Sequence, residues 1–278
     1  MHRIANSFLY FWKLYLWIMN NLFRIPCKYI HHSFTARHTG GFGIHSPFVF
    51  NFTKYVIEEK NPFYAFSDIE RIRKEYTKDN RNIQVTDYGT GTSGIKRVGD
   101  IAVRSLKEPK YGQLLFRIVN YCKCSHVLEL GTSLGVTTAY MASPDAHIRC
   151  VTMEGCPEIA KLAGETFSSL HLDNITQVVG NIDEKLPEVL DGNEPFDLIF
   201  LDANHRSEAI LSYFDQCVQH VHDHSVIVVD DINWSEDMEH AWNGIRNHEK
   251  VTASIDLFQM GIVFFNRELE KKTYKMRF

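Results

Sequence analysis

The first 57 residues contain no aspartate or glutamate; the first carboxylate is Glu58. They do carry six basic residues: Arg3, Lys13, Arg24, Lys28, Arg37 and Lys54. Over the whole chain 30 Lys and Arg face 34 Asp and Glu, a net charge of −4. The remainder is therefore acidic, and the balance gives no support for a nucleic-acid partner. CxxC spacing is also missing among Cys27, Cys122, Cys124, Cys150, Cys156 and Cys217. Isolated thiols of this kind suit a reduced, cytoplasmic protein, and Cys122 and Cys124 lack nearby partners for a zinc site. No apolar run reaches the roughly 20 residues of a spanning helix. The best candidate, 8–23 (FLYFWKLYLWIMNNLF), is split by Lys13 and ended by Asn20 and Asn21. No small-residue cleavage site follows it, which argues against a signal peptide.

What is present is an ordinary globular composition, 44% hydrophobic and 23% charged, over 278 residues. That excludes disorder and is long enough for a sizeable core. Fourteen of the 35 aromatics fall in residues 1–57. Phe8, Trp12, Tyr15, Leu16, Met19 and Phe23 follow helical spacing. The expectation is a helix packed on its own domain or on a second copy of the chain. Peripheral membrane contact through 8–24 is the alternative, since basic residues with Trp and Phe suit an anionic surface. Residues 36–50 read as a loop whose Gly40, Gly41 and Gly43 permit unusual backbone angles. The predicted organisation is a basic aromatic extension (1–57), a helical or loop cap (58–106) and a main domain (107–278).

Two glycine-rich segments compete for the role of nucleotide loop. Gly89-Thr-Gly91-Thr-Ser-Gly94 follows a strand-like run at 83–88 and matches GxGxxG. A dinucleotide fingerprint also needs a βαβ unit with an acidic residue at the next strand end. Here a helix (95–106) and then another (111–121) are expected, with no second strand. The motif reads as a structural turn, with a contribution to the wall of the site as the alternative, and an NAD-dependent oxidoreductase is disfavoured. Gly131-Thr-Ser-Leu-Gly135 follows a strand at 127–130 and opens a helix at 135–143. The next strand, 148–153, ends at Glu154, where a carboxylate can accept both ribose hydroxyls. The glycines let backbone approach a ligand, and the helix start offers free N–H groups.

Alternation continues to the end: helix 156–170, strand 175–179, strand 196–201, helix 206–220, strand 225–229, helix 236–247, and a closing strand pair at 251–257 and 261–265. This predicts a parallel sheet with helices on both faces.

The motifs VLELGTSLG (127–135), VTMEG (151–155), VVGN (178–181), FDLIFLDANH (196–205) and VIVVDDINW (226–234) resemble those of class I S-adenosylmethionine (SAM)-dependent methyltransferases. The finer resemblance is to metal-dependent small-molecule O-methyltransferases of the catechol, caffeoyl-coenzyme-A and macrolide-tailoring types, whose Gly-Gln-Leu-Leu-like helix start is similar to 111–115. It implies a Rossmann-like, doubly wound α/β fold with a mostly parallel seven-stranded sheet, an antiparallel last strand and an N-terminal helical extension. It implies SAM bound along Glu129, Gly131, Thr132, Ser133, Gly135, Glu154, Asn181 and Asp202. It also implies Mg²⁺ held by Asp202, Asp230 and Asp231, an all-oxygen set suited to a hard ion.

By that resemblance the acceptor is a small hydroxyl compound, catechol-like or amphipathic, and the ion would lower its pKa. The catechol type carries a lysine three residues after the first metal aspartate, where this chain has His205. Some macrolide-tailoring members carry an acidic residue two positions after it, where this chain has Asn204. His205 titrates in a useful range and, with Asp202, is the catalytic candidate; His38, His45 and His240 are weaker ones. Asp230 or Asp231 could instead cap the next helix, a role open to Ser235 as well. Other readings are a metal-independent N- or C-methyltransferase and a SAM-binding membrane-peripheral scaffold without activity.

Overall fold

The computed structural model describes residues 24–278 apart from Thr90. The aromatic stretch at 8–23 therefore lies outside the described residues. Five parallel strands form the heart of the molecule: β3 (His126–Leu130), β4 (Arg149–Glu154), β5 (Ile175–Val179), β6 (Leu198–Leu201) and β7 (Val226–Val229). Beyond β7 lie β8 (Ala253–Asp256), β9 (Gly261–Phe264) and β10 (Lys272–Lys275). The spatial order is β10-β8-β9-β7-β6-β3-β4-β5. β9 alone runs antiparallel to its neighbours. Counted from β3 it is the seventh strand, as expected. The sheet nevertheless has eight strands, because β10 adds to the edge parallel to β8. Its sequence, Lys-Thr-Tyr-Lys, carries little apolar signal, and only its pairing with β8 makes it a strand.

The central strands are buried on both faces, so they read as continuous apolar runs. Leu198 and Phe200 of β6 face one core with Val226 and Val228 of β7. Ile199 and Leu201 face the other with Ile227 and Val229. The first face is covered by α5 (Pro109–Cys122) and by α2 (Pro47–Phe52) with the π-turn that continues it, Thr53–Ile57. Val49, Phe52 and Val56 are fully buried there, so residues after 46 belong to the main core rather than to an extension. The second face is covered by α8 (Ile182–Asp191), α9 (Ser207–Cys217) and α10 (Glu236–Asn247). α6 (Val136–Ala142) and α7 (Pro157–Ser169) complete the crossovers. Ser235 caps α10 by accepting the Met238 N–H at 3.0 Å, which leaves Asp230 and Asp231 free of that duty.

A helix over 24–35, α1, docks beside the carboxyl end of β8 and the start of α10. Arg24 pairs with Glu239 at 2.9 Å and donates to the Trp234 carbonyl. His32 meets Asp256 at 2.9 Å with both side chains buried. No described helix is long and apolar enough to cross a membrane.

Between α3 (Phe66–Thr77) and α4 (Val98–Ser105) the chain forms a hairpin of β1 (Asn82–Val85) and β2 (Gly94–Arg97). The expected helix at 95–106 thus starts three residues later, after a strand. The first glycine motif is this hairpin's loop, with β2 antiparallel to β1. No βαβ unit surrounds it, and the oxidoreductase reading falls with that.

Candidate active site

A cavity of about 300 Å³ lies beyond the carboxyl ends of β3, β4, β6 and β7, where open α/β sheets bind ligands. Its walls include Gly131, Ser133, Glu154, Asn181, Asp202, His205 and Asp231. Glu129, Thr132, Gly135 and Asp230 are absent from the wall. Only Gly permits the turn after β3. Gly131 has φ 103°, and a Cβ there would lie 2.1 Å from the Asp202 carbonyl oxygen. The tips of β3 and β6 therefore meet backbone to backbone. Four non-glycine residues beside the cavity, Ser133, Asn204, His205 and Asp231, have positive φ. Such conformations cost free energy and persist where surrounding structure imposes them, commonly at functional sites.

Glu154 ends β4 with its carboxylate already held by backbone: Ser133 N–H donates to Oε2 and Cys156 N–H to Oε1, both at 2.9 Å. Burial raises its pKa against those bonds. Asn181 lines the cavity, yet its side chain caps α8 by accepting the Asp183 N–H at 3.2 Å. Glu129 is wholly buried behind the turn rather than in the site. It accepts hydroxyl bonds from Thr137 at 2.7 Å, Thr152 at 2.6 Å and Thr138. Burial nevertheless pushes its pKa up to about 7. Thr132 is turned to Thr152, 2.6 Å away.

Asp202, Asp230 and Asp231 converge at the tips of β6 and β7, and they converge on a lysine. The Lys107 ammonium contacts Asp230 Oδ2 and lies 3.0 Å from Asp231 Oδ2. Burial would lower the Lys107 pKa, but attraction to all three carboxylates outweighs it and holds the ammonium charged. Burial pushes Asp202 up to about 6, with Lys107 opposing. Burial, then repulsion from Asp202 and Asp231, drives Asp230 well above the usual carboxylate range. An all-oxygen donor set suits Mg²⁺, but Mg²⁺ demands open octahedral positions, and an ammonium stands among these oxygens. Among the described residues no group of three His, Cys, Asp or Glu side chains is arranged to hold an ion. The triad fits a lysine and does not fit Mg²⁺.

His205 Nε2 lies 3.8 Å from Asp202 Oδ1, and its ring sits 5.8 Å from that of half-exposed Trp234. Its Nδ1 is buried without a partner. His38 instead accepts the Lys275 N–H at 3.1 Å, and neither it nor His45 nor His240 touches the cavity.

Several wall residues escaped sequence reasoning. Lys107 carried no motif, and its charge looked like ordinary surface charge. The hairpin loop, whose glycine motif the sequence left open as a wall contributor, lines the cavity with Asp87, Tyr88, Gly89 and Gly91. Asp87 orders the loop by accepting the Gly89 and Gly91 N–H groups at 2.8 and 3.1 Å. Arg206 donates to the Gly89 carbonyl at 3.1 Å, and the Tyr88 ring packs on Gly155, where a Cβ would meet it at 2.8 Å. The proximity of GxGxxG to a ligand cleft was thus a real signal with the wrong local geometry.

Residues 128–232 match a family model described as a methyltransferase domain. A catechol O-methyltransferase of Niastella koreensis is 29% identical over 127 residues, 45% of this chain and 57% of that protein. An O-methyltransferase of Aspergillus flavus is 34% identical over 113 residues, 38% of this chain and 45% of that protein. The match thus spans about half the length of these curated relatives. Among solved structures, an O-methyltransferase from Bacillus cereus in complex with S-adenosylhomocysteine superposes with a TM-score of 0.54 at 18% identity, covering 76% of this chain and 96% of that one. One from Streptomyces achromogenes, involved in tomaymycin synthesis and solved with SAM, gives 0.54 at 20% identity, covering 78% and 94%. Strand order, motif order and the family match agree in likening residues 128–232 to a methyltransferase domain.

Proposed function

We propose that the chain is a SAM-dependent O-methyltransferase acting on a small hydroxyl compound. The observation that carries this reading is the cavity itself. It joins Gly131, Ser133 and Glu154, suited to a nucleoside, to Asp202, His205 and Lys107, suited to a hydroxyl acceptor. When bound, SAM would supply an electrophilic methyl group to the acceptor oxygen, its C–S bond electrons passing to sulfur. The acceptor's proton passes to His205, and Asp202 at 3.8 Å opposes the imidazolium charge. Glu154 accepts the ribose hydroxyls, and the Gly131 turn lets backbone approach the methionine portion. The negative strand tips favour a sulfonium cation over a neutral thioether. Asp87, Tyr88, Gly89 and Gly91 of the hairpin loop form one wall of the cleft. Because Lys107 stands among the acidic side chains, no step is assigned to Mg²⁺.

The test is calorimetric titration with SAM or S-adenosylhomocysteine. Binding that weakens in Glu154→Ala supports the reading, and unchanged affinity removes the ribose assignment. Methyl transfer from labelled SAM to a panel of phenols, lost in His205→Ala, supports O-methylation. Transfer confined to amines or carbon acids would redirect it to N- or C-methylation.

A further inference from the structure

We infer that Lys107 is the resident cation of this site, standing in for a divalent ion and presenting its ammonium to a single oxygen of the acceptor. The acceptor class that follows is a monohydroxyl compound, such as a phenol or enol, rather than a diol bound through two oxygens. The inference rests on the methyltransferase reading for the acceptor's role, and on the structure alone for the cation.

Three observations carry it. First, the carboxylates of Asp202, Asp230 and Asp231 sit at adjacent strand tips and need a counter-charge, because like charges this close cannot all ionise unaided. Second, Asp230 is 1% exposed, and the Lys107 ammonium is the one cation within ion-pair distance of its carboxylate among the described residues. Removing one partner of such a pair leaves a costly buried charge. Third, Lys107 is fixed in place rather than a surface chain swung inward. Its carbonyl accepts from Arg73 Nη1, and Arg73 Nε is held by Glu70 at 2.8 Å. Glu70 is in turn held by the Tyr140 hydroxyl at 2.8 Å. This loop lies between α4 and α5, so both helices position the ammonium. Lys107 also lines the cavity. An ammonium has three N–H donors; two are met by Asp230 and Asp231, which leaves one for a ligand oxygen. A single donor can polarise one hydroxyl and cannot chelate two.

The experiment is Mn²⁺ titration of the full chain, followed by calorimetry and by water-proton relaxation, on wild type, Lys107→Met and Lys107→Arg. Wild type and Lys107→Arg are expected to bind no Mn²⁺ up to about 1 mM. Lys107→Met, with its three carboxylates uncovered, is expected to gain a one-per-chain site at least roughly tenfold tighter. One-per-chain Mn²⁺ binding by wild type that Asp230→Asn abolishes would overturn the inference. So would a folded Lys107→Met that gains no site. If Lys107→Met does not fold, the wild-type titration decides alone. The acceptor arm compares phenol with catechol in EDTA: equal or better turnover of the phenol supports the single-oxygen assignment, and a catechol preference that needs added metal refutes it. S-adenosylhomocysteine binding measured in parallel separates the two readings, since its failure would sink the methyltransferase proposal while the Mn²⁺ result still decides the cation.

Discussion

Replacing Glu129 by Gln should change how stability depends on pH more than it changes the fold. Glu129 is fully buried on β3, and its carboxyl accepts from three threonine hydroxyls. Those bonds favour the ionised form, yet burial wins and lifts the pKa from 4.5 to about 7. The folded chain therefore holds a proton that the unfolded chain releases between those values. Stability from this group is complete below about pH 4.5 and is lost as pH rises through about 7. At 1.36 kcal/mol per pH unit the full loss is about 3 kcal/mol, an upper figure because hydroxyl rotors readjust. Gln keeps the size and a carbonyl acceptor but cannot ionise. The assay is urea denaturation of both proteins from pH 5 to pH 8.5. The two should be close at pH 5, and the variant should be more stable by roughly 1–3 kcal/mol at pH 8.5. Parallel pH profiles, or a variant that loses ground as pH rises, would refute burial as the dominant influence on Glu129.

Other perturbations test other parts of the structure. Gly131→Ala should destabilise by several kcal/mol and abolish ligand binding, because φ 103° and a 2.1 Å contact with the Asp202 carbonyl leave no room; thermal melts with and without S-adenosylhomocysteine read both effects. Gly155→Ala should dislodge the Tyr88 ring and expose the hairpin loop, seen as faster amide exchange at 87–93 with the global melting temperature little changed. His32→Ala should leave buried Asp256 with the Phe258 N–H, 2.9 Å away, but without its imidazole partner, at a cost of about 1–3 kcal/mol. Burial opposes ionisation of Asp256, but the His32 bond holds its pKa below the usual value. That contribution is present above the unfolded pKa and lost as pH falls through the folded one. The gap between wild type and His32→Ala in denaturant should therefore narrow in acid.

The parallel sheet was legible in the sequence because strands buried on both faces leave uninterrupted apolar runs, and each run here ends in a residue that breaks it. Glu154, Asp202, Asp230 and the Gly131 turn all stand at such ends, so their approach to one edge followed from topology. β10 was invisible because pairing with β8, rather than composition, makes it a strand. The β1–β2 hairpin was read as strand and helix because residues 94–97 carry no clear period of two.

What the sequence by itself determined is the alternation of β and α, the order of the motifs and the cluster of acidic strand tips. These are local properties of pattern and spacing. Only the tertiary structure decided which charges meet. Lys107 is 123 residues before Asp230 in the chain and reaches it from the loop between α4 and α5. Glu129, a cofactor candidate by its motif, turns instead toward three threonines on α6 and β4. A one-dimensional pattern can say that three carboxylates gather at one edge. Their counter-ion depends on through-space electrostatics, and only the folded chain specifies that.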